Sequence, residues 1–265
     1  MPLIAVKLLL APCFVLLASL TGRRFGPRAA GLIGGLPVVG GPILFIYALE
    51  HGGAFAAAAA GSALLGLVSL VGFVVVYGRL ARRCSPWASL LGGWTAFFAL
   101  TLAFSLPAVP APLALAILAG VIVLALRLLP EARAQRVTAP MPGWDLPLRA
   151  ACAIVLVLAL TAAASSLGPR LSGLLAPFPV LASVLVGFTH AQHGRRQLLG
   201  LLRGLVSGYG GFALFAFTLA ELLPVAPARV AFMIALAASV LCQATLFTLS
   251  ASALRREQAA DRALG

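Results

Sequence analysis

The side chains of this chain that could move protons are few, and they lie at the ends of apolar segments. Its 265 residues include 6 acidic side chains and 3 histidines. Histidine titrates near neutral pH, and an ionisable group at membrane depth commonly marks an ion or proton pathway. The alternative is that such groups only cap helices at the level of the lipid headgroups. We predict proton-coupling roles for Glu50, His51, His190, His193 and Glu221.

The same side chains do not predict a metal centre, a cofactor or an enzyme. His190 and His193 have no third ligand nearby in the sequence, and no two acids are close neighbours within one apolar segment. No serine nucleophile has a recognisable base at matching depth. We therefore expect no catalytic residue, no metal and no cofactor. The four cysteines lie in separate segments without CxxC spacing, at Cys13, Cys84, Cys152 and Cys242.

Proline and glycine residues mark two apolar segments in which a helix should break. Pro37 and Pro179 lie at matching depths of these segments. An internal proline removes a backbone hydrogen bond, and the freed groups are tolerated at membrane depth only where they line a cavity. Packing kinks and interhelical hydrogen bonds are the alternatives. We predict a substrate-binding site lined by Gly34, Gly35, Pro37, Gly40, Gly41, Thr101, Pro177, Pro179 and Gln243, with Tyr209 as a further candidate.

A Gly-Pro-Arg sequence begins both of these segments, at 26–28 and 168–170. Proline is favourable at the first helical position, where its missing N–H donor costs nothing. Arg28 and Arg170 are then placed at the two mouths of a pathway. There they could attract an anion with the help of the helix dipole, in an anion-binding or gating role. The alternative is that both arginines extend to the headgroups and anchor the helices.

The composition identifies the elements that carry these residues as membrane-spanning helices. The chain is 62% hydrophobic and 9% charged, whereas a soluble domain has about 25% charged residues. Its net charge of +13 does not indicate nucleic acid binding, because the arginines sit in short loops between apolar runs. We expect the lipid bilayer as a partner and no nucleic acid. The bias toward Arg, Ala and Leu is typical of a high-GC bacterial proteome.

Nine apolar segments are long enough to cross a bilayer, which takes about 20 residues each. Alternate loops place 16 of the 19 basic residues on one side of the membrane. By the positive-inside rule, the carboxyl terminus is cytoplasmic and the amino terminus external, in a bacterial inner membrane. The predicted spans are roughly 3–20, 29–50, 54–77, 86–106, 111–129, 148–166, 171–191, 198–221 and 228–250.

The two halves of the chain repeat at an offset of 142 residues. The sequence from Phe25 aligns without a gap on the sequence from Leu167. This alignment pairs the Gly-Pro-Arg motifs, Pro37 with Pro179, and His51 with His193. Because one unpaired span separates two sets of four, the second set enters the membrane from the opposite side. The repeats are therefore predicted to be inverted.

Together these patterns predict an all-α integral membrane protein with nine transmembrane helices in a 4+1+4 arrangement. Two inverted four-helix repeats flank one linker helix, and the second and seventh helices are interrupted. The predicted units are repeat 1 at 1–106, the linker helix and a cytoplasmic loop at 107–147, repeat 2 at 148–250 and a cytoplasmic tail at 251–265.

This architecture favours a secondary transporter over an enzyme. We expect alternating-access transport of a small organic solute, anionic or amphipathic, coupled to an ion gradient. A channel, a lipid-translocating protein and a non-transporting membrane scaffold are the alternatives. The expected partners are the bilayer and a small-molecule or ion substrate, and homo-oligomer formation is left open.

Overall fold

The computed structural model describes residues 2–106, 109–130, 144–164 and 169–264. Side chains outside its description are those of residues 2–11, 157, 159–164, 169, 170, 172 and 250–264. Every regular element in the described ranges is an α-helix. The helices are α1 (Pro2–Phe25), α2 (Pro27–Gly34), α3 (Gly40–His51), α4 (Gly53–Leu80), α5 (Pro86–Phe104), α6 (Ala111–Leu128), α7 (Asp145–Ala164), α8 (Pro169–Leu175), α9 (Val180–Leu222) and α10 (Ala228–Leu264).

The chain is a multi-pass helical membrane protein. Within the described residues, five segments are long and apolar enough to cross a bilayer: Gly53–Leu80, Pro86–Phe104, Ala111–Leu128, Gly173–Leu222 and Ala228–Leu249. The most apolar windows of the first and fourth are 72% and 61% buried, against 28% or less in the other three. α4 and α9 therefore form the centre of the protein, and α5, α6 and α10 expose large apolar side chains at its periphery.

Both predicted helix breaks are present. α2 ends at Gly34 and α3 begins at Gly40, so the first break contains Pro37. α8 ends at Leu175 and α9 begins at Val180, so the second contains Pro179. Each proline lacks the backbone N–H that a continuous helix would use at its position, which favours a break there.

The two breaks share their backbone hydrogen bonds at the offset of 142 residues. In the first, Val38 N–H donates to the Leu36 carbonyl at 2.8 Å; in the second, Val180 N–H donates to Phe178 at 2.7 Å. The helix after each break also starts with the same hydrogen bond. Gly41 N–H donates to the Pro37 carbonyl and Ser183 N–H donates to the Pro179 carbonyl, both at 2.8 Å. The sequence repeat is thus also a repeat of local geometry.

Two glycines reverse the chain after the broken segments, at equivalent positions. Gly52 separates α3 from α4 with φ 86° and ψ 170°, and Gly194 has φ 71° and ψ −174° inside α9. A positive φ with this ψ is accessible almost only to glycine. Gly194 therefore divides α9 into a first arm, 180–193, and a second arm, 195–222.

These glycines lie at opposite ends of the protein, here named the Gly52 end and the Gly194 end. α4 has 28 residues and is about 42 Å long, enough to cross a bilayer. It starts beside Gly52, and Arg79 in its last turn faces the same pocket as Arg195. The second arm of α9 runs the other way, and the Leu223 carbonyl lies near Gly53.

The breaks cross at the centre because glycines allow backbones to touch. α2 packs on the second arm of α9, where Gly31 lies directly against the Leu201 carbonyl oxygen. α8 packs on α4, where Gly173 lies in the same way against the Ala59 carbonyl oxygen. Gly31 and Gly173 are equivalent, and so are Leu201 and Ala59. Each half therefore supplies the short helix that packs on the long helix of the other half.

The remaining helices surround this crossing. α5 packs on α4 and α10 on α9, while α1 contacts α7. α6, the predicted unpaired span, contacts both α4 and α9. The end of α6 is held by Arg203, whose guanidinium donates to the carbonyls of Leu126 and Leu129 at 2.9 and 2.6 Å. α6 therefore bridges the two central helices.

Two helices begin before, or continue beyond, the membrane spans predicted within them. α10 continues as a helix to Leu264, through most of the segment predicted as a separate tail. Its last residues include Ala, Arg, Glu and Gln, which are strong helix formers and carry the helix beyond its apolar part. α7 begins at Asp145 and not at residue 148, so a residue predicted to lie in a loop belongs to its first turn.

Candidate functional site

A small cavity lies between the two helix breaks. Its volume is about 30 Å³, enough for about one water molecule. The lining includes four of the nine predicted substrate-binding residues, Gly34, Gly40, Pro177 and Pro179. Most other lining side chains are apolar, so the exposed backbone of the breaks contributes much of the available polarity.

The other three predicted residues at the breaks bring helices together. Gly35 lies against the backbone of Gly208 in the second arm of α9. A Cβ atom built on Gly41 would lie 3.5 Å from the Phe215 ring and 3.7 Å from Pro37. These residues therefore shape the crossing beside the cavity.

Tyr209 supplies a polar side chain to this cavity. It comes from the second arm of α9 and is 1% exposed. Its hydroxyl is buried and has no hydrogen-bond partner among the described residues. An unsatisfied buried hydroxyl costs about 1–3 kcal/mol, so a polar group entering the cavity would gain a ready partner.

Thr101 and Gln243 do not line this cavity, although the offset makes them equivalent. The Gln243 amide donates to the Leu32 carbonyl and so attaches α10 to α2. Its Oε1 is buried without a partner among the described residues, as is the Thr101 Oγ1. Gln243 thus forms the interhelical hydrogen bond that was the alternative to a binding role.

A buried ionic network lies at the Gly194 end. Asp145 is fully buried and Arg149 is 2% exposed, one turn apart on α7. The Arg149 Nε lies 3.0 Å from both carboxylate oxygens of Asp145, and its Nη2 donates to the Gln192 Oε1 at 3.1 Å. The Gln192 amide donates back to Asp145 at 2.7 Å, and Arg23 of α1 approaches the same carboxylate at 3.5 Å. We name Arg23, Asp145, Arg149 and Gln192 the ionic network.

Sequence reasoning missed this network. Asp145 falls in the predicted cytoplasmic loop, and the sequence gives Arg149 no role beyond orienting the chain in the membrane. The one available signal was their i, i+4 spacing, which places two side chains on the same helix face. Nothing in the sequence pairs these residues with Gln192, because that contact depends on how α7 packs on the first arm of α9.

A second small cavity adjoins the ionic network. It measures about 30 Å³, and its lining includes Arg23, Arg149 and the predicted coupling residue His193. Ser19 Oγ and Gln197 Oε1, whose residues also line it, are buried without hydrogen-bond partners among the described residues. The Gly194 end therefore holds a small space whose surface is mostly apolar, although charged and polar residues contribute to its lining.

His190 lies one turn before His193 in a separate contact. Its Nδ1 is 3.1 Å from the hydroxyl of Tyr77, a fully buried residue of α4. The same hydroxyl donates to the Val186 carbonyl at 3.3 Å. His190 therefore helps to join α4 to the first arm of α9, and it does not contact the ionic network through any hydrogen bond in the described structure.

The predicted coupling residues at the other end are exposed. Glu50 and His51 end α3, and Glu221 lies near the end of α9. His51 packs on Phe55 with ring centroids 4.5 Å apart, and beside Tyr47 at 6.3 Å. No carboxylate pairs with a cation there within the described residues, where both ion pairs involve Asp145.

The two predicted gating arginines occupy equivalent helix starts. Arg28 lies in the first turn of α2, after Pro27 at the first helical position, and Gly204 of α9 lies against its carbonyl oxygen. Arg170 lies in the first turn of α8, after Pro169, and its side chain falls outside the described residues. The predicted placement of proline is confirmed in both helices.

No group of three or more His, Cys, Asp or Glu side chains able to hold a metal ion occurs in the described part of the chain. Comparisons with protein-family models, with curated proteins and with solved structures find no match. The function is therefore inferred from the crossing, its cavity and the ionic network.

Proposed function

We propose that this protein is a secondary transporter that carries a small organic solute across a bacterial inner membrane by alternating access. The observation that supports this most directly is the meeting of two interrupted helices at one cavity, with the contacts of each half made to the other. Interrupted helices crossing near the bilayer midplane are the usual binding-site architecture of such carriers.

The proposed layout has nine spans in two inverted four-helix repeats. The equivalent contacts of Gly31 with Leu201 and of Gly173 with Ala59 exchange partners between the halves, as a two-fold axis requires. α2 with α3 forms span 2, α8 with the first arm of α9 forms span 7, and the second arm forms span 8. Since one span separates the repeats, the axis lies in the membrane plane.

The small cavity corresponds to a closed state of the transporter. A volume of about 30 Å³ cannot hold an organic solute. Substrate entry therefore requires the halves to move apart at one end, and Tyr209 then offers its hydroxyl to a polar group of the solute. The apolar lining favours a solute with apolar parts, in keeping with an amphipathic molecule.

The ionic network closes the Gly194 end, which the positive-inside rule makes cytoplasmic. It joins α1, α7 and the first arm of α9, so opening this end requires its bonds to break. An ion that binds the Asp145 carboxylate would compete with its contacts to Arg149, Gln192 and Arg23, and would so release α7 from α1 and from the first arm of α9. Asp145 is therefore the proposed coupling group, with His193 at the adjoining cavity.

The experiment measures access to the cavity from each side of the membrane. The four native cysteines are replaced by alanine, and one cysteine is introduced at Leu36, which lines the cavity. A membrane-impermeant thiol reagent is added to right-side-out and to inside-out vesicles. The matched control is a single cysteine at Leu102, which is 72% exposed on the outer surface of α5.

A carrier should label at Leu36→Cys from both sides, and Leu102→Cys should stay unlabelled within the lipid. Asp145 and Gln192 are then both replaced by cysteine and joined by a disulfide, which locks the Gly194 end closed. This cross-link should abolish labelling of Leu36→Cys from the cytoplasmic side and should keep or increase labelling from the outside. A scaffold predicts no labelling from either side. Ion conductance that persists while labelling from both sides continues would favour a channel.

A further inference from the structure

Four arginines line an open pocket of about 480 Å³ at the Gly194 end. Arg79 lies in the last turn of α4, Arg82 and Arg83 follow it, and Arg195 begins the second arm of α9. All four residues are exposed. No acidic residue lines the pocket among the described residues. We name this group the arginine pocket.

The arginine pocket differs from the other arginine sites at this end. Arg23 and Arg149 face Asp145, and Arg203 donates to two carbonyl oxygens at the end of α6. The four arginines of the pocket make no ion pair or side-chain hydrogen bond within the described part of the chain. They therefore place four positive charges around one space, and no acidic side chain of the described residues balances them.

Phosphate is the anion that suits this arrangement. The planar guanidinium group presents paired N–H donors that match two oxygens of a phosphate, and several arginines can share one group. The carboxyl end of α4 carries the negative pole of the helix dipole, so the attraction must come from the side chains. A carbonyl-rich or neutral ligand would leave the charge unbalanced.

The position of the pocket indicates where the phosphate comes from. Trp87, four residues after Arg83, is 76% exposed at the start of α5, and exposed tryptophans near helix ends mark the membrane interface. One turn further along α5, Leu91 is 62% exposed and belongs to the lipid-facing surface. The pocket thus opens at the depth of lipid phosphates, where basic clusters bind anionic headgroups.

We propose that the arginine pocket binds the phosphate of an anionic phospholipid headgroup at the membrane surface. This site is separate from the cavity at the helix breaks, and it stands whether or not the chain transports a solute. A bound lipid would connect the end of α4 to the start of the second arm of α9.

The test compares the full-length chain with two charge-matched double variants. Arg82→Gln with Arg195→Gln removes two arginines of the pocket. Arg24→Gln with Arg196→Gln removes the same charge from exposed arginines outside its lining. Each protein is placed in phosphatidylcholine nanodiscs, and its affinity for added phosphatidylglycerol is measured by native mass spectrometry. Unfolding midpoints verify that the variants fold.

The pocket variant should bind phosphatidylglycerol roughly thirtyfold more weakly than the wild-type chain, since each arginine that meets the headgroup phosphate contributes about fivefold. The control pair should change the affinity less than twofold. Equal losses in the two pairs would overturn the proposal in favour of a diffuse basic surface. In a second arm of the experiment, millimolar inorganic phosphate should not displace phosphatidylglycerol. Loss of the lipid under these conditions would show that the pocket prefers free phosphate and would overturn the proposal of a lipid ligand.

Discussion

The Gly52 end and the Gly194 end have the same local backbone conformation, but their side chains make different contacts. Each has a histidine followed by a glycine with positive φ, at His51-Gly52 and His193-Gly194. At the Gly52 end the preceding residue is exposed Glu50. At the Gly194 end it is Gln192, which is bonded to Asp145 and Arg149. Two ends with the same local backbone conformation thus differ, because among the described residues only the Gly194 end carries a buried ionic network.

On the proposed layout, this difference teaches that the repeat fixes the crossing and leaves the ends free to diverge. The glycine contacts that bring backbones together tolerate no side chain in either half. Exposed positions at the two ends face water or lipid headgroups, where most substitutions cost little. Asymmetric closure can therefore be added to a symmetric crossing without disturbing its packing.

The largest expected effect comes from removing the Arg149 guanidinium that pairs with the buried Asp145 carboxylate. Arg149→Ala should destabilise the protein by about 3 kcal/mol, the low end for a broken buried ion pair, because Asp145 keeps only the Gln192 amide and the longer contact to Arg23. Thermal unfolding in detergent measures this. The matched change at the other end, Glu50→Gln, should stay within about 0.5 kcal/mol because that side chain is exposed.

A second variant compares removal of the whole Asp145–Arg149 ion pair with removal of Arg149 alone. Replacing both residues, with Asp145→Leu and Arg149→Met, should recover much of the stability lost in Arg149→Ala, since no charge is left buried. Equal sensitivity of Glu50 and Arg149 would contradict the contrast between the two ends.

An intermediate effect is expected at the crossing, where the halves should behave alike. Gly31→Ala and Gly173→Ala each place a methyl group on a carbonyl oxygen of the other half, at a cost of about 1–3 kcal/mol or more. The yield of monodisperse protein and its unfolding midpoint measure the effect. Gly210→Ala is the control on α9, because its nearest neighbour would be Cys242 Sγ at 3.9 Å. A tolerated Gly173→Ala beside a severe Gly31→Ala would refute symmetric packing.

The smallest effect concerns the second contact at the Gly194 end. Tyr77→Phe removes the hydroxyl that meets His190 and should cost about 0.5–1.5 kcal/mol. The residue equivalent to His190 at the offset of 142 is Ala48, which cannot form this hydrogen bond at the Gly52 end. Tyr209→Phe removes a hydroxyl without a partner in the described structure and should leave stability unchanged or raised. A double-mutant cycle with His190→Ala isolates the pair.

The sequence predicted what depends on local chemistry. Pro37 and Pro179 each remove a helical hydrogen bond at a position where a break follows, and Pro27 and Pro169 begin helices because the first turn needs no donor there. The glycines after His51 and His193 aligned in the repeat, and their shared backbone conformation follows. These features need only neighbours along the chain.

The ionic network could not be predicted in the same way. Asp145 and Gln192 are 47 residues apart, and their hydrogen bond exists because α7 packs on the first arm of α9. Thr101 and Gln243 were predicted to line the cavity because they are equivalent in the sequence alignment, but neither residue lines it. Packing between helices decides which polar side chain meets a cavity and which meets a carbonyl.

α6 has an evolutionary consequence. On the proposed layout, two copies of one ancestral four-helix gene could assemble as separate chains only if one inserted upside down relative to the other. Joining such copies end to end would force both into the same orientation. One added span restores the opposition, and α6 contacts both α4 and α9 as a helix in that position must. Deleting α6 and joining the two halves directly should therefore prevent their assembly. The same two halves expressed as independent chains should still assemble.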